Sequence, residues 1–359
     1  MKKRRIKIKS RGEPFKSRMT QILNVDLRRF FSLVKHVMVV GASGSGKTST
    51  LLLLTKLFYD NGEAILWRDD SSLEFFSLRK IMPLLVFVPQ GCEIMYERHN
   101  VEYAEYDPWN LKTLFDHIDR ERVNPVVFDL FTHDMSMFLR FWSQFFYSLY
   151  KHQRQRVKER ISFVTDEIND LCPSTRRGYI PRQLALSSNI YFSMKKFRKE
   201  GIRLVVSTHT YGDIHKPVRE AFQFYLFKRM DGASVPDRFK RYEKVIERLA
   251  VNEMFVVDEK KSFNVMNVSE VVKPRRITVK WKGDLEQVTE HRRKEIDAWK
   301  RKTQVLAALL TEGYNVTFEQ LAEILEYKGA SGAHQFLKKI SDDDKEKVAA
   351  LLEKLGEQG

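Results

Sequence analysis

The stretch Gly41-Ala-Ser-Gly-Ser-Gly-Lys-Thr48 decides how the rest of the chain is read. Ahead of it, Val37-Met-Val-Val40 is a short apolar run suited to a buried parallel strand; behind it, residues 49–59 are rich in Leu and read as a helix. Strand, glycine loop and helix form the setting in which such an octet wraps phosphate. Gly41, Gly44 and Gly46 let the backbone bend, so that amides along Ala42, Ser43, Ser45 and Ser49 and the helix N-terminus face negative charge. Lys47 is expected to reach the β- and γ-phosphates of a nucleoside triphosphate, and the Thr48 hydroxyl to bind Mg²⁺.

Further along, Ile161-Ser-Phe-Val-Thr-Asp166-Glu167 is an apolar strand ending in two adjacent acids. In nucleotide-binding sheets the site lies at the carboxyl ends of the strands, which brings both acids to the phosphates. Asp166 is expected to hold the metal, directly or through water, and Glu167 to orient and deprotonate the attacking water. The run Leu204-Val-Val-Ser-Thr-His209 ends in a histidine placed to bond the γ-phosphate or that water. The acids of Trp67-Arg-Asp-Asp-Ser-Ser-Leu-Glu74 either approach the nucleotide, face a basic groove or lie in a solvated loop. Phosphoryl transfer often takes an arginine from a neighbouring subunit; Arg219 and Arg229, and also Arg176, Arg177 and Arg182, qualify alike.

The chain divides into a basic arm and lead-in over 1–35, a nucleotide-binding α/β domain over 36–270, a basic linker over 271–301 and a helical unit over 302–357. Within the large domain, strands are expected at 37–40, 64–67, 84–88, 126–129, 161–165 and 204–207, alternating with helices as in a parallel sheet. Residues 222–227 read as an edge strand, and 254–257 with 263–268 as a hairpin. The aromatic run 135–150 reads as an amphipathic helix burying Phe138, Phe141, Trp142, Phe145 and Leu149. In the last unit, Val305, Leu306, Leu309 and Leu310 mark one helix. Thr317 with Gln320 forms a capping box for a second, whose Leu321, Ile324 and Leu325 face inward. Gly329 and Gly332 frame a turn before a third helix over 333–340. This pattern fits a helix-turn-helix offering His334, Gln335, Lys338 and Lys339 to nucleic acid, or equally a small bundle for protein contacts.

Across 359 residues the formal charge is +16, which points to an anionic polymer as partner. The excess is concentrated. Residues 1–20 hold nine Lys or Arg against Glu13 alone, and further basic blocks span 151–160 and 273–302. Separated clusters suit a protein that follows a phosphate backbone. Two cysteines, Cys92 and Cys172, without metal-ligand spacing point to a reducing, cytoplasmic setting. The basic N-terminus is not followed by an apolar secretory segment, and no run of about 18 apolar residues predicts membrane insertion.

On three stretches the chain resembles the HerA/FtsK superfamily of DNA-pumping ATPases: residues 36–48, Phe163-Val-Thr-Asp-Glu167 and residues 197–209. Ile65-Leu-Trp-Arg-Asp-Asp70 is similar to that family's second strand, which ends in an acid, and the likeness covers about residues 30–230. His209 stands where the family usually carries Gln, and the large N-terminal barrel and membrane helices of some members have no counterpart here. The resemblance implies a RecA-like P-loop NTPase core with a small C-terminal all-α domain. It also implies ATP with Mg²⁺ as cofactors, DNA of either strand form as partner, and a ring oligomer, by analogy a hexamer. A DNA translocase is the leading expectation. The alternative is an ATP-switched DNA-binding initiator or regulator that reads sequence through its C-terminal helices; a lipid-associated secretion ATPase fits less well for want of a basic amphipathic helix in the arm.

Overall fold

The computed structural model describes residues 33–69, 72–95, 101–155, 159–174, 181–259, 263–267, 280–287, 302, 317–325, 327 and 329–338. Residues 1–32 of the basic arm, the helix marked by Val305 to Leu310, Arg176, Arg177, Lys339 and Ile340 therefore lie outside the described residues. In chain order the elements are β1 (Val37–Val40), α1 (Lys47–Asp60), β2 (Ala64–Arg68), β3 (Leu84–Pro89), β4 (Glu93–Met95), β5 (Val101–Tyr106), α2 (Lys112–Asp116) and β6 (Val123–Val126). There follow α3 (Met135–Arg154), β7 (Ile161–Thr165), α4 (Pro181–Phe197), β8 (Ile202–Thr208), α5 (Lys216–Glu220), β9 (Phe224–Phe227) and α6 (Glu243–Glu247). The last are β10 (Glu253–Asp258), β11 (Phe263–Asn267), β12 (Lys280–Lys282), α7 (Phe318–Ile324) and α8 (Ala330–Lys338).

Ten strands make one sheet in the order β11-β10-β9-β1-β8-β7-β2-β6-β3-β5. From β9 to β5 every pairing is parallel, and the β10–β11 hairpin joins β9 antiparallel. Between β1 and β2 the chain moves one way across the sheet; from β6 through β7 to β8 it moves back. Right-handed crossovers therefore place α1 on one face and α3 and α4 on the other. Both faces are covered, so the inner strands are apolar without alternation: β1, β2 and β7 are buried at every position. Helix α3 packs Trp142, Phe145 and Phe146 on Phe163 of β7, with ring centroids 6.1, 5.4 and 5.2 Å away. This is an α/β P-loop NTPase fold of RecA-like order, in which one strand, β8, separates the glycine-loop strand β1 from the acid-bearing strand β7.

Several elements differ from the sequence expectation. Strand β6 ends at Val126, three residues before the expected Asp129, which begins a 3₁₀ turn. Pro125 hid this strand, because a proline lacks the amide that an inner strand needs. Asn124 compensates: its buried Nδ2 donates to Ile65 O of β2 at 2.9 Å and to Asp119 O at 2.7 Å. Strand β9 is internal rather than an edge, because the hairpin extends the sheet beyond it. Strands β4 and β5 went unread, and β12, inside the expected linker, pairs with β4.

Chain contacts divide the molecule into residues 1–285 and 286–359. In the second unit the Thr317–Gln320 capping box forms as expected. Ile324 is exposed while Leu321 and Leu325 are buried, so the inward face is narrower than expected. Gly332 lies inside α8 rather than in a turn; a Cβ there would meet the Tyr327 ring at 3.0 Å, so glycine admits the ring. His334, Gln335 and Lys338 are exposed on α8.

Candidate active site

The glycine loop crosses the carboxyl end of the sheet and is tied to the strands on both sides of β1. Gly41 N donates to Thr208 O at 3.3 Å, and Ala42 N to Arg229 O at 3.2 Å. Two glycines are required for different reasons. At Gly46, φ is +89°, a left-handed conformation that side chains resist. At Gly41, a Cβ would sit 2.6 Å from both Lys228 Cβ and Ser45 Oγ. Loop and α1 line a cleft of about 590 Å³ with Ser43, Gly44, Gly46, Lys47, Thr48 and Ser49. Ser72, Glu74, Asp166, Glu167, His209 and Val251 complete its walls. Glu74 thus answers the open question about the 67–74 acids: it reaches the cleft, whereas Asp69 is buried and accepts from Leu73 N at 3.0 Å.

The expected chemical residues converge here. Thr48 Oγ1 donates to Asp166 Oδ2 at 2.8 Å, and the Ser207 hydroxyl donates to Asp166 Oδ1. Lys47 Nζ donates to Ala42 O at 3.3 Å and to His209 Nδ1 at 2.7 Å. Because an ammonium is donor-only, Nδ1 must be the unprotonated nitrogen; Nε2–H then donates to Glu167 Oε1 at 2.7 Å. Burial, and next the Lys47 charge, hold His209 below the ordinary histidine value, with Asp166 opposing, which agrees with a neutral ring. Burial likewise depresses Lys47, against the pull of Glu167, Asp166 and Glu74. Glu167 sits at φ +44°, with its amide donating to Asp166 Oδ1 at 3.1 Å. For a non-glycine residue this backbone costs about 1–2 kcal/mol, strain of the kind found at working sites.

The oxygen donors suit Mg²⁺. Thr48 Oγ1 and Asp166 Oδ2 lie 2.8 Å apart, close to the ~2.9 Å edge of an octahedron with ~2.05 Å metal–oxygen bonds. One hydroxyl and one carboxylate leave room for the water and phosphate ligands this ion retains.

Sequence reading missed the supporting roles of Arg68, Asp129, Trp142 and Lys228. Arg68 donates from Nε and Nη2 to Asp129 Oδ2 at 3.0 and 2.5 Å and from Nη1 to Thr165 Oγ1 at 3.2 Å, with Asp166 O at 3.5 Å. Its guanidinium lies 5.5 and 5.4 Å from the Phe138 and Trp142 ring centroids, and Trp142 Nε1 donates to Asp129 Oδ1 at 2.8 Å. A charged residue inside the apolar run Ala-Ile-Leu-Trp-Arg was the available signal. Lys228, fully buried beneath the loop, donates to Val251 O and Glu253 O, both at 2.6 Å, and burial lowers its pKa to about 8. Of the expected arginines, Arg219 donates to Tyr211 O and Gly212 O at 3.3 and 3.2 Å. Arg229 is exposed beside its own glycine loop, and Arg182 is exposed on α4.

Fold and site together define a P-loop NTPase fold in which the residues expected to bind phosphate, hold a metal and act as general base are gathered in one cleft. Comparison by sequence finds no matching family model and no matching curated protein. Among solved structures, the chain is similar to the genome packaging NTPase B204 from Sulfolobus turreted icosahedral virus 2 in complex with ATP-gammaS. Identity is 12% and the TM-score 0.42, over 65% of this chain and 96% of that one. It is also similar to the pCW3 conjugation coupling protein TcpA in its monomer form with ATPgS, at 12% identity and TM-score 0.42, over 66% and 60% of the two chains. A third is the bacterial conjugative coupling protein TrwBdeltaN70, at 10% identity and TM-score 0.41, over 65% and 84%. Likeness at these scores carries no weight for activity, which is read from this chain's own residues. Among the described residues no helix is long and apolar enough to cross a membrane.

Proposed function

We propose that this chain hydrolyses ATP and uses the cycle to move DNA, working as a ring oligomer of the HerA/FtsK type. The observation that carries the reading is the continuous chain Lys47–His209–Glu167 beside the Thr48–Asp166 pair. A γ-phosphate entering the cleft offers Lys47 a stronger, charged acceptor than the imidazole. Lys47 then turns to phosphate, and His209 is left able to bond a phosphate oxygen or the attacking water. Glu167 takes a proton from that water as its oxygen attacks the γ-phosphorus and the bond to the β-phosphate oxygen breaks, releasing ADP and phosphate. Thr48 and Asp166 would hold Mg²⁺, which when bound neutralises phosphate charge. With Arg219 engaged by its own carbonyls, Arg229 is the better candidate to complete a neighbour's site in the ring. The choice of ATP over GTP, the hexamer and DNA as cargo come from the sequence resemblance; the charge of +16 is consistent with a polyanionic cargo.

The test is hydrolysis by wild type and Glu167→Gln, with and without random-sequence double- and single-stranded DNA, across a salt series. The expected outcome is turnover that rises several-fold with DNA and declines with salt, and that drops by about 10²–10⁴-fold in Glu167→Gln. Slow turnover indifferent to any random DNA would defeat the motor reading. A second reading, a nucleotide-switched DNA-binding regulator, is kept open by the α7–α8 pair with His334, Gln335 and Lys338 exposed. It predicts binding to one DNA sequence on the order of 10³-fold tighter than to random DNA.

A further inference from the structure

Helices α3 and α4, 20 and 17 residues long, contain no Asp or Glu at all. On α3 the exposed residues Arg140, Tyr147, Lys151 and Arg154 fall seven, four and three apart, which puts them on one stripe. On α4, Arg182, Asn189, Phe192 and Lys196 are exposed at spacings of seven, three and four, a second stripe. The two helices pack side by side: Phe146 and Phe197 are 6.2 Å apart, and Lys196 Nζ lies 5.5 Å from the Tyr150 ring centroid, which joins the stripes. Beside the α3 stripe, a cleft of about 370 Å³ opens toward α2. Its walls include Trp109, Lys112, Gln144, Ser148, Lys151 and Gln155. Asp116, the acid in its lining, faces His152 at 3.9 Å, and Arg140 lies over the Trp109 ring at 5.1 Å.

We infer that this α3–α4 face, with the cleft beside it, is a nucleic-acid-binding surface that holds the phosphate backbone. The inference rests on the reading of DNA as cargo and adds where the chain grips it. Arginine, lysine, amide and hydroxyl groups are the donors that phosphate and sugar oxygens accept from, and no carboxylate on either helix repels the strand. From Arg140 to Arg154 the stripe runs about 21 Å, roughly six nucleotide steps. An anionic lipid surface is the competing occupant for basic residues and exposed rings. Lipid binding needs a continuous apolar helix face to sink between headgroups. The apolar face of α3 is already spent on Phe163 of the sheet, and Tyr147 and Phe192 are the large apolar side chains its outer stripes expose, at 66% and 60%.

The experiment measures affinity for random-sequence duplex and single-stranded DNA against salt for three full-length proteins. These are wild type, the triple Lys151→Ala/Arg154→Ala/Lys196→Ala, and an equal charge change on other elements, Lys216→Ala/Lys244→Ala/Arg248→Ala. A matching thermal midpoint shows that each variant is folded. The stripe triple is expected to bind at least about tenfold more weakly near physiological salt, with a slope of log K against log salt shallower by about 2–3. The control triple is expected to keep a slope close to wild type. Equal losses in the two triples overturn the face while leaving DNA as cargo intact. Absence of DNA binding by wild type at low salt defeats the cargo reading and this inference together. Binding of wild type to phosphatidylserine vesicles that the stripe triple loses, with DNA affinity unchanged, gives the face to lipid and overturns it.

Discussion

Strand β2 carries a buried arginine–carboxylate cluster at each end, and the two differ in what else they hold. At its start, Glu63 takes Arg203 Nη2 at 2.9 Å and Nε at 3.2 Å, and Ser162 Oγ at 2.6 Å. Arg203 also donates to Lys35 O and lies over the Phe58 ring, and these partners belong to the scaffold. At its end, Arg68 also donates from Nε and Nη2, but both bonds fall on the single oxygen Oδ2 of Asp129, and its third nitrogen turns to Thr165 and the Asp166 carbonyl. One cluster closes on itself and locks strand register. The other leans on Asp166, which lines the cleft. Similar chemistry at the two ends of one strand should therefore fail in different ways when broken.

The largest effect is expected at the closed end. Glu63→Ala leaves the Arg203 guanidinium buried without its carboxylate, a loss of about 3–5 kcal/mol. Urea unfolding should show this as a lowered midpoint with the slope unchanged, while turnover per folded molecule stays within about twofold of wild type. A collapse of turnover without loss of stability would break the contrast.

His36 sharpens the same end. Its Nδ1 accepts from Leu204 N at 3.0 Å and its Nε2–H donates to Met194 O at 3.0 Å, so the ring is fixed as neutral. Burial, with the nearby Arg198 and Arg203 charges, lowers its pKa from 6.5 to about 4 despite the Met194 bond. The native state thus binds this proton less readily than the unfolded chain. Stability is flat above about pH 7, falls as pH drops through the window from 6.5 to 4, and loses on the order of 3 kcal/mol by its lower edge. The measurement is unfolding free energy at pH 7.5, 6, 5 and 4 for wild type and His36→Asn. The acid-side slope should be shallower in the variant; equal slopes would remove His36 as its source.

The contrast also shows what the sequence made legible. Phosphate loop, acid pair and His209 are short motifs on strand ends, and a local pattern suffices to place them in one cleft. The support beneath them is not local. Arg68 reaches Asp129 across 61 positions, and Arg203 reaches Glu63 across 140, so only the sheet order reveals either pair. Strand β6 escaped for a related reason: Pro125 argues against an inner strand unless the compensating bonds of Asn124 are seen. Strand β9 read as an edge because the hairpin's docking onto it is a tertiary choice that periodicity does not encode.

The smallest expected effect is the most discriminating. Arg68→Lys keeps a positive charge near Asp129, but a point charge cannot serve Asp129, Thr165 and the Asp166 carbonyl together. The packing of Phe138 and Trp142 should hold the fold, so the thermal midpoint should move by only a few degrees. Asp166 and Glu167 would lose backbone positioning that matters more in the transition state than in nucleotide binding. On that account kcat falls by about tenfold, or about 1.4 kcal/mol, while KM for ATP stays within about twofold. Arg203→Lys, its counterpart at the closed end, should do the reverse, costing stability and sparing kcat. If Arg68→Lys instead raises KM with kcat unchanged, or matches Arg203→Lys in both readouts, then both ends of β2 are scaffold. The positioning of Asp166 would then have to come from its hydrogen bonds to Thr48 and Ser207.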